Sequence, residues 1–117
     1  MLNLFRNTPQ QPASAIVERV GAGQVTLVDI RDPSEIRATG RARGALAIPL
    51  PVLRMKADPA SPERDPRLDP SAAIALYCAS GARSAMAAAM LRQLGYRDVT
   101  NLGGLADWQR AGGAIQP

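Results

Sequence analysis

Two short apolar runs without a polar face constrain the fold of this chain more than any other feature. They are residues 25–30 (VTLVDI) and residues 73–77 (AIALY). Runs of this kind are typical of strands buried on both faces, as in parallel sheets. Segments with helical spacing of apolar residues lie between and after them. We therefore predict an α/β fold with a mainly parallel sheet of about five strands and helices on both faces.

Glycine, proline and capping signals place the remaining elements. Asp32, Pro33 and Glu35 have the spacing of a capping box and predict a short helix that ends before Gly40. A brief apolar segment lies at 45–50, and 58–70 is predicted to be an exposed connection because four prolines stand among its charges. A last short strand is predicted at 99–102. The other predicted helices lie at 14–20, 52–55, 84–94 and 105–110.

The size and composition of the chain fit one globular domain. Its 117 residues, 46% of them hydrophobic, are enough for a single packed core. Residues 1–11 are polar and proline-containing, which predicts a flexible leader before a single domain at 12–117. No apolar run approaches the roughly 20 residues needed to span a bilayer, and the first residues do not match a secretory signal. We expect a soluble, cytoplasmic protein with no membrane partner.

The absence of histidine and the single cysteine exclude several classes of chemistry. A nucleophile–histidine pair, an internal disulfide and a Cys-x-x-Cys couple are all excluded. Zinc or iron–sulfur binding by thiolates would need more cysteines, so no metal is expected. The net charge of +4 is spread along the chain, and only four residues are aromatic, so we expect no nucleic-acid partner.

Residues 76–84 (LYCASGARS) carry the candidate chemistry. Cys78 stands where a predicted strand ends and a loop of small residues begins, and Arg83 follows just before a helix. The loop N–H groups, the helix N-terminus and the guanidinium all favour an anion, so together they would lower the pKa of the thiol. A lone cysteine is usually a buried hydrophobe. Its position before Gly81, Arg83 and Ser84, at the ligand-binding edge of a parallel sheet, favours a nucleophile instead.

Three segments match the signatures of one family. They are VDIR at 28–31 with Glu35, GA at 44–45 with IP at 48–49, and CASGAR at 78–83 followed by LGG at 102–104 and Trp108. In this order and spacing the chain resembles the rhodanese domain family over residues 13–116. The family often has a histidine between Gly40 and Ala42, where this chain has Arg41. That departure leaves recognition of the sulfur donor open.

The resemblance implies a sulfurtransferase that needs no cofactor. In the family the loop cysteine takes a sulfane sulfur from a donor such as thiosulfate and passes it, as a persulfide, to a thiol or another nucleophile. Here Cys78 would be the catalytic carrier, and Arg83 would neutralise the leaving oxyanion. The expected partners are a small anionic sulfur donor and a thiol acceptor, which can be a protein. The implied substrate-binding residues are Ala79, Ser80, Gly81, Ala82, Arg83 and Ser84.

Two alternatives remain at this point. Cysteine-dependent phosphatases have a similar anion-binding loop, but with five residues between cysteine and arginine, whereas here there are four. The same fold can also serve as a non-catalytic binding or sensing module, which would be expected to lose the cysteine or the arginine. Supporting roles are predicted for a polar network of Asp29, Arg31 and Glu35 at the sheet edge, and for Trp108, Met86 and Met90 in the core.

Overall fold

The computed structural model describes residues 11–117, so residues 1–10 of the predicted leader lie outside the described part of the chain. Within 11–117 the chain alternates between helices and strands. The helices are α1 (Ala13–Gly21), α2 (Pro33–Thr39), α3 (Leu50–Ala57), α4 (Ala82–Gln93) and α5 (Leu105–Arg110). The strands are β1 (Thr26–Asp29), β2 (Arg41–Ala42), β3 (Leu46–Ala47), β4 (Ala73–Cys78), β5 (Asp98–Gly104) and β6 (Ile115–Gln116).

The main sheet is parallel and has the strand order β3-β1-β4-β5. The predicted α/β architecture is thus confirmed, with four strands in this sheet rather than about five. The strands β2 and β6 form a separate antiparallel pair. Two-residue strands are too short to show a periodic pattern, which is why the sequence did not predict them.

Helices cover both faces of the sheet, as predicted. One face packs on α3 and α4 through buried Val28, Leu53, Leu76 and Leu91, and the other packs on α1 and α5. The second layer includes Trp108, which is buried as predicted and donates a hydrogen bond from its ring nitrogen to the carbonyl oxygen of Ala114. These two layers fix the strand β4 at the centre of the molecule, and its carboxyl end carries Cys78.

Two sequence predictions about burial need correction. Met86 is 64% exposed rather than part of the core, because the buried positions of α4 are Ser84, Ala87, Ala88 and Leu91. The connection at 58–70 is largely exposed, but Leu68 within it is fully buried. No helix among residues 11–117 has the length and apolar character needed to cross a membrane.

Candidate active site

Cys78 is the last residue of β4 and lies between the ends of its neighbouring strands. Its partner across the sheet is Gly104 of β5. The register between β4 and β5 shifts at this end, since Leu76 pairs with Asn101 and Tyr77 pairs with Gly103. An extra residue in one strand changes the direction of the side chains that follow. The irregularity therefore lies where β5 meets the loop that follows Cys78.

The sulfur of Cys78 is buried and accepts hydrogen bonds from the loop that follows it. The side chain is 1% exposed, and the backbone N–H of Gly81 donates to Sγ at 3.0 Å. The hydroxyl of Ser84, in the first turn of α4, lies 3.4 Å from the same sulfur. Burial raises the pKa of the thiol, but hydrogen bonds from Ser84 and from the N–H groups of Gly81 and Ser80 outweigh it and lower the pKa to about 7.

Two glycines allow this close packing. Gly81 has a φ of +102°, in the left-handed region that residues with a Cβ rarely adopt, and a Cβ there would lie only 3.3 Å from the Cα of Gly103. Gly104 lies so close to the loop that a Cβ there would overlap the carbonyl oxygen of Ala79. The loop and the end of β5 thus meet backbone to backbone.

Asn101 links β5 to the loop, although it is not among the predicted site residues. Its Nδ2 donates to the carbonyl oxygen of Gly81 at 3.0 Å, and its Oδ1 accepts from the N–H of Gly103 at 3.0 Å. The same Oδ1 lies 2.6 Å from the hydroxyl of Ser84. The signal that could have found it is its position one residue before the LGG segment, where β5 reaches the edge that carries Cys78.

Arg83 is paired with Glu35 of α2. Its two terminal nitrogens donate to the two carboxylate oxygens at 2.7 and 2.9 Å. The ion pair lowers the pKa of Glu35 to about 2, and it raises the pKa of Arg83, as does the nearby Cys78. Glu35 also accepts the N–H of Asp32, as the predicted capping box requires. The guanidinium thus lies near the sulfur, but its charge is partly balanced by a carboxylate.

The predicted polar network divides into two parts. Asp29 and Arg31 form a buried pair at the end of β1, in which Asp29 is fully buried and Arg31 is 3% exposed. The hydroxyl of Tyr77 donates to Asp29 and accepts the N–H of Ala42, which connects the pair to β2. The pKa of the Tyr77 hydroxyl is raised, mainly because the hydroxyl is buried. Glu35 belongs instead to the loop, through Arg83.

Of the predicted site residues, the structure brings Ser80, Gly81, Arg83 and Ser84 into interaction with the sulfur of Cys78. Ala79, Ser80 and Ala82 line the outside of the loop and are exposed, whereas Ser84 is buried under it. Arg41 lies half-buried on β2, and its Nε has no hydrogen-bond partner among the described residues. Within residues 11–117, no group of three or more His, Cys, Asp or Glu side chains is placed to hold a metal ion.

Comparisons with known proteins agree on one family. A family model described as Rhodanese-like domain matches residues 13–111. A sulfurtransferase of Allochromatium vinosum is 42% identical over 89 residues, which are 75% of each protein.

Two solved structures are also similar to the chain. A protein of unknown function from Rhodopseudomonas palustris, called a possible tyrosine phosphatase, has a TM-score of 0.80 and 34% identity, over 92% of this chain and 84% of that one. The human single-domain sulfurtransferase TSTD1 has a TM-score of 0.73 at 24% identity, over 89% of this chain and 97% of that one, and shows the fold alone.

Proposed function

The chain belongs to the rhodanese-like domain family and is a sulfurtransferase at the level of that family, and we propose that it moves a sulfane sulfur through a persulfide on Cys78. The donor is thiosulfate or a persulfide, and the acceptor is a thiol. The observation that carries the proposal is the buried sulfur that accepts the N–H of Gly81 at the end of β4. A thiol with a pKa of about 7 is substantially ionised at neutral pH, and the thiolate is the reactive form.

The first half-reaction forms the persulfide. The thiolate of Cys78 attacks the outer sulfur of thiosulfate, the sulfur–sulfur bond of the donor breaks, and sulfite leaves with the electron pair. With a persulfide donor the same attack releases the donor's thiolate. In the second half-reaction an acceptor thiolate attacks the terminal sulfur, and Cys78 leaves as a thiolate. Since the chain has no second cysteine, the acceptor is an external thiol.

The loop supports both half-reactions by stabilising negative charge. The N–H groups of Gly81 and Ser80 that lower the pKa of the thiol also favour the anionic persulfide. Arg83 uses two of its five N–H donors in the pair with Glu35 and also interacts with Cys78, so its guanidinium is placed to contact an oxyanion of the donor. Glu35 keeps the guanidinium in place, so it supports the site without contacting the reacting sulfur.

A phosphatase is the competing activity, because one similar structure is called a possible tyrosine phosphatase. Only four residues separate Cys78 from Arg83, so the loop is shorter than the five-residue spacing of cysteine-dependent phosphatases. The loop also lacks an aspartate that could protonate a leaving alcohol. These features favour sulfur transfer.

The proposal is tested by measuring turnover with two sulfur donors. Purified protein is given thiosulfate or glutathione persulfide, and thiocyanate formation from cyanide or sulfide release by a thiol is followed. We expect turnover with at least one donor and none in Cys78→Ser. Hydrolysis of para-nitrophenyl phosphate by the native chain, without sulfur transfer from either donor, would overturn the proposal in favour of a phosphatase.

A further inference from the structure

The hydroxyl of Ser84 has more acceptors around it than protons to give. Four acceptors surround its Oγ: Asn101 Oδ1 at 2.6 Å, the Gly81 carbonyl at 3.2 Å, and Cys78 Sγ and the Gly103 carbonyl, each at 3.4 Å. A hydroxyl carries one proton and two lone pairs, so it can donate to only one of them at a time. At any moment the other three acceptors receive no hydrogen bond from Ser84.

Two of the four acceptors do not compete strongly for the proton. The carbonyl oxygen of Gly81 already accepts the N–H of Ala85 at 3.0 Å and Nδ2 of Asn101 at 3.0 Å, which occupies both of its lone pairs. The carbonyl of Gly103 is at the long limit of a hydrogen bond. The choice therefore lies between the amide oxygen of Asn101 and the sulfur.

The amide of Asn101 is held in one orientation. Its oxygen faces an N–H donor, that of Gly103, and its nitrogen faces a carbonyl acceptor, that of Gly81. Exchanging the two atoms would place donor against donor and acceptor against acceptor. Because the amide is fixed, the hydroxyl of Ser84 is the group that turns when the charge on the sulfur changes.

We propose that Asn101 is a positioning residue that competes with the Cys78 sulfur for the single hydroxyl proton of Ser84 and thereby restrains the nucleophile. In the thiol state Ser84 donates to Asn101 at the shorter distance. In the thiolate state Ser84 donates to the sulfur and gives up its bond to Asn101. The inference rests on the proposed function only in taking Cys78 as the nucleophile.

The competition predicts that removal of Asn101 favours the thiolate. In Asn101→Ala the hydroxyl loses its nearest acceptor, and the Gly81 carbonyl at 3.2 Å loses the Nδ2 donor that filled one of its lone pairs. Because that carbonyl is neutral and the thiolate is charged, the hydroxyl donates to the thiolate, and the pKa of Cys78 falls by about half to one unit from its native value of about 7. Thiolate absorbance and the alkylation rate with iodoacetamide then rise at lower pH than in the native chain. Both readouts report Cys78 alone, since the chain has one cysteine.

A double-mutant cycle separates this role from a merely structural one. In a Ser84→Ala background, which lacks the hydroxyl, Asn101→Ala is expected to leave the pKa of Cys78 unchanged. The proposal would be overturned if Asn101→Ala shifted the pKa of Cys78 equally with and without the Ser84 hydroxyl. It would also be overturned if Asn101→Ala alone raised that pKa or left it unchanged. These titrations need no sulfur donor, so their failure is distinct from a failure of sulfur transfer.

Control variants complete the test. Gln116 also uses an amide oxygen to accept a backbone N–H, that of Gly44 at 3.1 Å, and Gln116→Ala is expected to leave the pKa of Cys78 at its native value. If Asn101→Ala does not fold, Asn101→Ser takes its place, because the shorter side chain cannot span the same contacts. Asn101→Ser must also lower the pKa of Cys78, and it must do so only when Ser84 is present.

Charged groups around the loop stay constant in every arm of the cycle. Each is on an element packed near the end of β4, and none is substituted. They are Arg83 on α4, Glu35 on α2, Asp29 and Arg31 at the end of β1, and Asp107 on α5.

Discussion

At the scale of single residues, the reactivity of Cys78 results from two opposing effects. Burial disfavours the thiolate, while the hydrogen bonds from Ser84, Gly81 and Ser80 favour it and prevail. No histidine assists, so deprotonation depends on the solvent and on this loop. Because the pKa of the thiol is lowered to about 7, sulfur uptake is expected to fall as the pH drops below 7 and to level off above it.

The pair of Arg83 and Glu35 yields a prediction on donor use. Arg83→Ala removes a charge-assisted contact to an anionic donor worth about 1.5–3 kcal/mol, so kcat/KM for thiosulfate is expected to fall by roughly 10- to 150-fold. Glu35→Gln is the matched variant, because it keeps the guanidinium and removes only the balancing charge. It is expected to keep or raise kcat/KM for thiosulfate, measured at neutral pH. Equal losses in the two variants would show that the ion pair acts only to hold the loop.

At the scale of elements, the strand β4, its loop and the helix α4 form the unit that carries the sulfur, and β5 packs against it. The sequence predicted this unit because a buried strand, a glycine-containing loop and an alanine-rich helix each have a local signal. It did not predict the role of Asn101, since no local pattern marks a side chain whose partners lie 17 and 20 residues away. The prediction that Met86 is buried was wrong because α4 is rich in alanine, so its buried and exposed faces differ little in hydrophobicity.

The contact between β5 and the loop predicts the effect of one added methyl group. In Gly104→Ala the Cβ would overlap the carbonyl oxygen of Ala79, so the loop must move away from β5. The Gly81 N–H then no longer points at the sulfur, and the alkylation rate of Cys78 at pH 7 is expected to fall several-fold. Gly21→Ala is the control: a Cβ there would meet no atom within 4 Å, and neither Gly21 nor Gly104 has a φ in the left-handed region. An alkylation rate that falls as much in the control would contradict the account.

At the scale of the whole molecule, a buried polar network joins the main sheet to the β2–β6 pair. Asp29 accepts from both Arg31 and Tyr77, and Tyr77 in turn accepts the N–H of Ala42. The sequence predicted a network at this edge from the VDIR segment, but not the part played by Tyr77, which comes from another strand. Breaking a buried pair of charges leaves an uncompensated charge, so such a network is destabilised by loss of any member.

The two buried tyrosines test this network. Tyr77→Phe removes the bond to Asp29, whose Oδ2 still accepts from Arg31, and it removes the acceptor of the Ala42 N–H. Tyr96→Phe removes only the bond to the Ala57 carbonyl. A buried hydrogen bond contributes about 1 kcal/mol, and Tyr77→Phe loses two such bonds where Tyr96→Phe loses one, so Tyr77→Phe is expected to lower the free energy of unfolding by about twice as much. Urea denaturation measures both. An equal or smaller loss in Tyr77→Phe would contradict the network's role.

The most direct test of the central claim is the intact mass of the protein after incubation with thiosulfate or glutathione persulfide. We expect a gain of one sulfur atom on the native chain, no gain in Cys78→Ser, and removal of the added sulfur by a thiol or by cyanide. A native chain that gains no sulfur from either donor, although its Cys78 is alkylated with a pKa near 7, would contradict the persulfide carrier and favour a non-catalytic binding role for the same loop.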